Sequence, residues 1–144
     1  MPDTLYSATA TAWGGRDGKV QSDDNRIDLQ LSIPKSLGGD DGPGTNPEQM
    51  FASGYAACFH SALKGIARAQ KVDVSDSAVS VTISMTGSLS EGIDLAARIE
   101  AQLPGLERDT AQALLDAAHQ ACPYSRATRG NIVAEVVLID SDED

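Results

Sequence analysis

Four runs of alternating side chains govern what this chain can fold into. Ile27, Leu29, Leu31 and Ile33 alternate with Asp28, Gln30 and Ser32, and Val79, Val81, Ile83 and Met85 alternate with Ser80, Thr82 and Ser84. Ile93, Leu95, Ala97, Ile99, Ala101 and Leu103 repeat the pattern, as do Ile132, Ala134, Val136 and Leu138. A period of two predicts strands with one buried face. The Thr-rich run Thr4 to Trp13 adds a β-favouring segment ahead of the turn Gly14 to Gly18. The second alternating pair predicts a hairpin through Gly87 to Gly92. Two stretches instead follow helical spacing. Phe51, Tyr55, Cys58, Ala62, Ile66 and Ala69 form one stripe, on a helix ending near Lys71. Ala111, Leu114, Leu115, Ala118 and Cys122 form the other, closed by Pro123.

The resulting order is ββ-α-ββ-α-β, an α+β arrangement of two helices packed against antiparallel sheets, without the strand–helix alternation of a doubly wound fold. Asn46 before Pro47 marks the start of the first helix, with Gln49 completing a capping box; Thr45 with Glu48 offers the same signature one residue earlier. Pro34 to Pro47, rich in Gly, Pro and Asp, reads as a surface loop. Small residues around Cys58, among them Ala52, Ser53, Gly54, Ala56, Ala57 and Ser61, would let another backbone approach and predict a central helix.

At 144 residues the chain is read as one domain, 1–144, with an acidic tail, Ser141 to Asp144, expected to be disordered. A net charge of −10 opposes binding to nucleic acid or to an anionic membrane surface. No apolar stretch is long enough to cross a bilayer and no signal-peptide pattern opens the sequence, so the expectation is a cytoplasmic protein without membrane insertion. In a reducing compartment the two cysteines, Cys58 and Cys122, are either inert core residues or a transient redox pair.

A metal site is disfavoured. His119 and Cys122 share a helical face, but Cys58 and His60 point about 200° apart at 3.6 residues per turn. His60 is expected to be exposed, and His119 to act as a favourable charge near a helix C-terminus. A Cys–His hydrolase has no identifiable third residue. Arg16 sits in a Gly-flanked turn and Glu48 at a helix N-terminus, each a weak signal alone.

Taken together, GGRDG (Gly14 to Gly18), GTNPEQMFASGYAACF (Gly44 to Phe59) and CPYSRATRGNI (Cys122 to Ile132) closely resemble the organic hydroperoxide resistance proteins, a branch of the OsmC-like superfamily. The resemblance spans nearly the whole chain, and departs at Arg126 and over Thr86 to Gly92. It implies an intertwined homodimeric α+β fold and a peroxiredoxin-like thiol peroxidase, active in the oxidative stress response, that reduces organic hydroperoxides to alcohols. It makes Cys58 the peroxidatic cysteine and Cys122 its resolving partner, with Arg16 and Glu48 as polar partners of the thiolate. The resemblance further implies no bound cofactor and regeneration by a dihydrolipoyl dithiol, free or on a lipoylated protein. The alternatives are an OsmC-type peroxidase of broader peroxide range and a non-enzymatic hydroperoxide sensor. Met50, Phe51, Phe59 and Tyr124 are candidates for an apolar access pocket.

Helix geometry adds an expectation about assembly. Glu48 and Cys58, ten positions apart, are separated by about 15 Å on one straight helix, too far for one arginine to grip both. The expectation is a composite site in which Cys58 meets the Arg16 and Glu48 of a second copy.

Overall fold

The computed structural model describes residues 2–139. The chain divides into two compact units, the first running to Met50 and the second beginning at Phe51. The α+β class holds, with more elements than the sequence pattern alone resolves.

In the first unit β1 (Ala10–Trp13), β2 (Lys19–Ser22) and β3 (Asp28–Gln30) form an antiparallel sheet in sequence order. The strand expected over Thr4 to Trp13 begins only at Ala10, because its partner β2 ends at Ser22 opposite it. β2 itself carries too short a pattern to be read from KVQS. A single 3-10 turn, Gly15–Asp17, joins β1 to β2. It is built on close backbone approach: a Cβ on Gly18 would lie 1.8 Å from the Trp13 carbonyl oxygen, and Gly14 and Gly15 take φ of +82° and +62°. Every residue of β1 and β3 is exposed; the unit's buried apolar anchor is Leu31, just past β3. Residues 33–46 form the expected loop, held where Thr45 bridges Leu31 and where the Gly44 N–H donates to Ser32 Oγ at 2.8 Å.

Helix α1 (Pro47–Ala69) starts where the cap signal placed it. Asn46 Oδ1 accepts the Gln49 N–H at 2.8 Å, which selects Asn46 over Thr45 as the cap. Chain direction reverses after Ala69, with Lys71 at φ +59° and the Val72 N–H donating to the Ala67 carbonyl at 2.8 Å. The fully buried line on α1 is Tyr55, Phe59, Leu63 and Ala67, while Phe51, Cys58, Ala62 and Ile66 flank it and Ala69 is exposed. Two neighbouring rows on this helix are both apolar, and packing decides which one is central.

The second unit's sheet pairs β4 (Ala78–Ser88) with β5 (Gly92–Gln102) in the predicted hairpin, from Ala78 opposite Gln102 to Ser88 opposite Gly92. β6 (Val133–Ile139) joins β5 in parallel, so this sheet is mixed rather than antiparallel. The parallel return requires a crossover, supplied by α2 (Arg108–Ala121) and a short α3 (Pro123–Thr128) absent from the expected order. The core unites α1's buried line with Ala97, Ile99 and Ala101 of β5 and Ala111, Leu114, Leu115 and Ala118 of α2. Ser141 to Asp144 lie outside the described residues. Among the described residues no helix is long and apolar enough to cross a membrane.

Candidate active site

Cys58 lies in the middle of α1, half-buried beside the line of buried side chains. Cys122 is fully buried at the junction where α2 stops and α3 starts. Pro123 explains that stop. It forces extended geometry on the residue before it, and Cys122 has φ −62° and ψ 124°. Cys122 still donates its N–H to Ala118 at 2.8 Å and accepts from Arg126 at 2.9 Å, so one residue closes one helix and opens the next. Sixty-four positions apart in sequence, the two Sγ atoms stand 3.7 Å from each other, both as free thiols. Closing them into a disulfide shortens that gap by less than about 2 Å.

Burial pushes the Cys58 thiol above its ordinary value, the neighbouring Cys122 thiol adds to this, and the backbone N–H of Tyr124 pulls it back. Tyr124 follows Pro123, so its N–H is the first available donor of α3. Its ring lies over α1 at Gly54, where a Cβ would come within 3.0 Å of the Tyr124 hydroxyl. Phe51 and Tyr55 complete an aromatic cluster with Tyr124, at centroid separations of 5.6 to 6.1 Å. Of the pocket candidates, Phe51 and Tyr124 are therefore neighbours, Tyr124 is 38% exposed, and Met50 is half-buried at the end of the first unit. Phe59 is a core residue, completely enclosed, and lines no open surface.

Arg16 and Glu48 form the second pair, within the first unit. Arg16 projects from the 3-10 turn after β1, and its two terminal nitrogens donate to the two carboxylate oxygens of Glu48 at 2.7 and 2.9 Å. This is the bidentate fork that fixes a guanidinium plane. The Arg16 hydrogen bonds hold the Glu48 carboxyl below the usual carboxylate range against the opposing cost of burial, and Glu48 in turn raises Arg16. Glu48 is thus not the reciprocal capping residue for Thr45, whose hydroxyl instead bonds Gln49.

Neither histidine has its expected surroundings. His60 is half-buried, with Nε2 bonded to Ser77 Oγ at 2.9 Å. His119 bonds Ser125 Oγ through Nδ1 at 2.9 Å, and burial together with Arg129 lowers its affinity for a proton against the opposing pull of Asp116, which weakens the expected part of a charge at the end of α2. Ser125, which faces His119, lies past the helix end and outside the helical spacing. Among the described residues no group of three or more His, Cys, Asp or Glu side chains is placed to hold a metal ion.

The model of OsmC-like proteins matches residues 38–137, about two thirds of the chain, from within the loop before α1 into β6. The chain belongs to the OsmC-like family. Within it, an organic hydroperoxide resistance protein of Xanthomonas axonopodis pv. citri is 46% identical over 135 residues, covering 93% of this chain and 94% of the relative. Crystal structures agree in shape. The organic hydroperoxide resistance protein of Legionella pneumophila superposes with a TM-score of 0.89 at 40% identity, over 94% of this chain and 98% of that one. That of OhrB from Bacillus subtilis gives 0.85 at 40% identity, over 94% and 100%. These relatives put the chain in the organic hydroperoxide resistance branch of the OsmC-like family, as its motifs suggest.

Proposed function

We propose that this protein is a thiol-dependent peroxidase that reduces organic hydroperoxides to alcohols. The observation that carries the reading is the pair of free thiols 3.7 Å apart, one half-exposed and one enclosed, in a member of the organic hydroperoxide resistance branch. The Cys58 thiolate attacks the distal oxygen of ROOH, breaking the O–O bond and releasing ROH, and becomes a sulfenic acid. Cys122 then attacks that sulfur and water leaves, giving the Cys58–Cys122 disulfide. A dihydrolipoyl dithiol suits the return step: its first thiol opens the disulfide and its second closes on the mixed disulfide, regenerating both cysteines.

Ionisation alone is a poor source of rate. A thiol near pKa 8.5 gains roughly 30-fold at most from full ionisation at neutral pH. Burial moves Cys58 the wrong way, so a cation has more to contribute here than in an open site. The Arg16 guanidinium, oriented by Glu48, is the group suited to draw the thiolate down and to stabilise charge developing on the cleaving peroxide. Because Glu48 and Cys58 are ten positions apart on α1, the reading places Cys58 of one chain with the Arg16 and Glu48 of a second in a homodimer. The exposed residues of β1 and β3 support assembly, since a three-stranded sheet without a buried face of its own is poorly stable in water.

The test is a single turnover of the reduced protein with one equivalent of cumene hydroperoxide or hydrogen peroxide, reading the disulfide by mass spectrometry. Disulfide forming faster with the organic peroxide, and not at all in Cys58→Ser, is the expected result. No disulfide with either peroxide would return both cysteines to a purely structural role. One oxidation without turnover when dihydrolipoamide is supplied would mark a sensor instead.

A further inference from the structure

Buried beside the cysteines is a polar network that the reaction as written does not use. Ser125, completely enclosed on α3, has its hydroxyl 2.8 Å from the Tyr55 hydroxyl on α1 and 2.9 Å from His119 Nδ1 on α2. Thr128 Oγ1 stands 3.4 Å from the same Tyr55 hydroxyl and donates to the Ser125 carbonyl at 3.2 Å. The Arg129 side chain donates to the His119 carbonyl at 2.7 Å. Every member is one helical turn from a reacting sulfur or from another member: Tyr55 lies three residues before Cys58, His119 three before Cys122, and Ser125 three after Cys122. Three helices that touch the thiols are therefore tied at a single hydroxyl.

The proton arrangement is self-consistent. In the neutral tautomer of His119 that carries its proton on Nε2, Nδ1 accepts from Ser125, and the Ser125 oxygen is left to accept from Tyr55. A buried polar trio in an apolar core adds direction that apolar packing lacks. Here the direction is across the Cys58–Cys122 gap.

We propose that Ser125, bridging Tyr55 and His119, is a positioning residue for disulfide closure, holding the α2–α3 junction against α1 so that Cys122 captures the Cys58 sulfenic acid before a second peroxide does. The inference rests on the peroxidase reading. Two fates compete for Cys58–SOH. Attack by the Cys122 thiol forms the S–S bond, and the sulfenic hydroxyl leaves as water with the thiol proton. Reaction with another ROOH transfers one oxygen, giving the sulfinic acid and ROH, and ends the cycle. A junction free to drift from α1 slows the first fate and leaves the second untouched.

Ser125→Ala removes the shared hydroxyl, while Tyr55→Phe keeps the ring and removes only its link to Ser125. Rapid mixing with cumene hydroperoxide separates the bimolecular oxidation of Cys58 from the unimolecular closure, and intact mass gives the sulfinic fraction. Both variants are expected to oxidise within about twofold of the parent rate. Closure should slow about tenfold in Ser125→Ala and less in Tyr55→Phe, with the sulfinic fraction rising in proportion. Unchanged closure in both variants overturns the inference, as does an equal slowing of oxidation and closure, which marks a merely structural role. A parent protein that forms no disulfide overturns the peroxidase reading as well.

Discussion

The two units differ in how they hold their functional groups. The second packs Cys58 and Cys122 against a continuous core whose central side chains are wholly enclosed, and its buried hydroxyls are paired with one another. The first carries Arg16 on a glycine-flanked turn of a sheet whose outer strands are exposed along their length, and Glu48 on the first turn of α1. Rigid packing suits a pair of sulfurs that must meet within a bond length. A charged fork on a lightly anchored sheet suits a group completed by assembly. The comparison teaches that stability and electrostatics are separable here, so substitutions in one unit should fail differently from those in the other.

The largest expected effect on stability is in the second unit. Leu114→Ala, at a completely enclosed position on α2, should cost about 2–5 kcal/mol in urea unfolding. Leu29→Ala, 42% exposed on β3, should cost under about 1 kcal/mol within the chain, and should instead raise the concentration at which the proposed homodimer dissociates, read by sedimentation. An equal loss of chain stability at both positions would break the contrast between the units.

For activity the order reverses. Arg16→Ala should lower peroxidase turnover about 10²–10³-fold, the scale of losing one preorganised charge-stabilising donor. Its thermal midpoint should barely move, because Arg16 is 38% exposed and an ion pair so placed contributes little to stability. Gly18→Ala sharpens the point. The new Cβ meets the Trp13 carbonyl at 1.8 Å, the turn must shift, and activity should fall by up to about 10²-fold through misplacement of Arg16.

The pH dependence is the subtlest test. Glu48 is held below the usual carboxylate range, so the fork is intact at neutral pH and its small contribution is lost only as pH falls through that lowered value. Cys58 is pushed upward by burial, so without a cation its reactive thiolate appears at higher pH. In Arg16→Ala the rate of reaction with peroxide should keep rising with pH beyond the point where the parent levels off, as read by stopped-flow. Superimposable profiles would separate Arg16 from the thiolate.

Much of this was legible in the sequence where a pattern repeats. The alternation of Val79 to Met85 and Ile93 to Leu103 specifies the hairpin, and Asn46-Pro47 specifies the start of α1, because each acts through local geometry. Pro123 likewise fixes the end of α2 at Cys122. What escaped depends on partners. Periodicity does not tell β6 whether to run parallel or antiparallel, and α3 has too few residues to show a stripe. Phe59 reads as a pocket wall only until Leu63 and Ala67 are seen to extend the same buried line. The partner of His119, Ser125, lies beyond the break at Pro123, and the spacing of three residues on either side of Cys122 is the sequence signal that links the two.

The proposed division of the site between chains is tested most directly by mixing two inactive variants, Cys58→Ser and Arg16→Ala, and allowing subunits to exchange. A composite site predicts recovered activity, since half the sites of each mixed dimer then pair an intact Cys58 with an intact Arg16 from the other chain. Activity that stays at the level of the separate variants, with mixed dimers shown to be present, would place Arg16 and Cys58 of one chain in the same site and contradict the account.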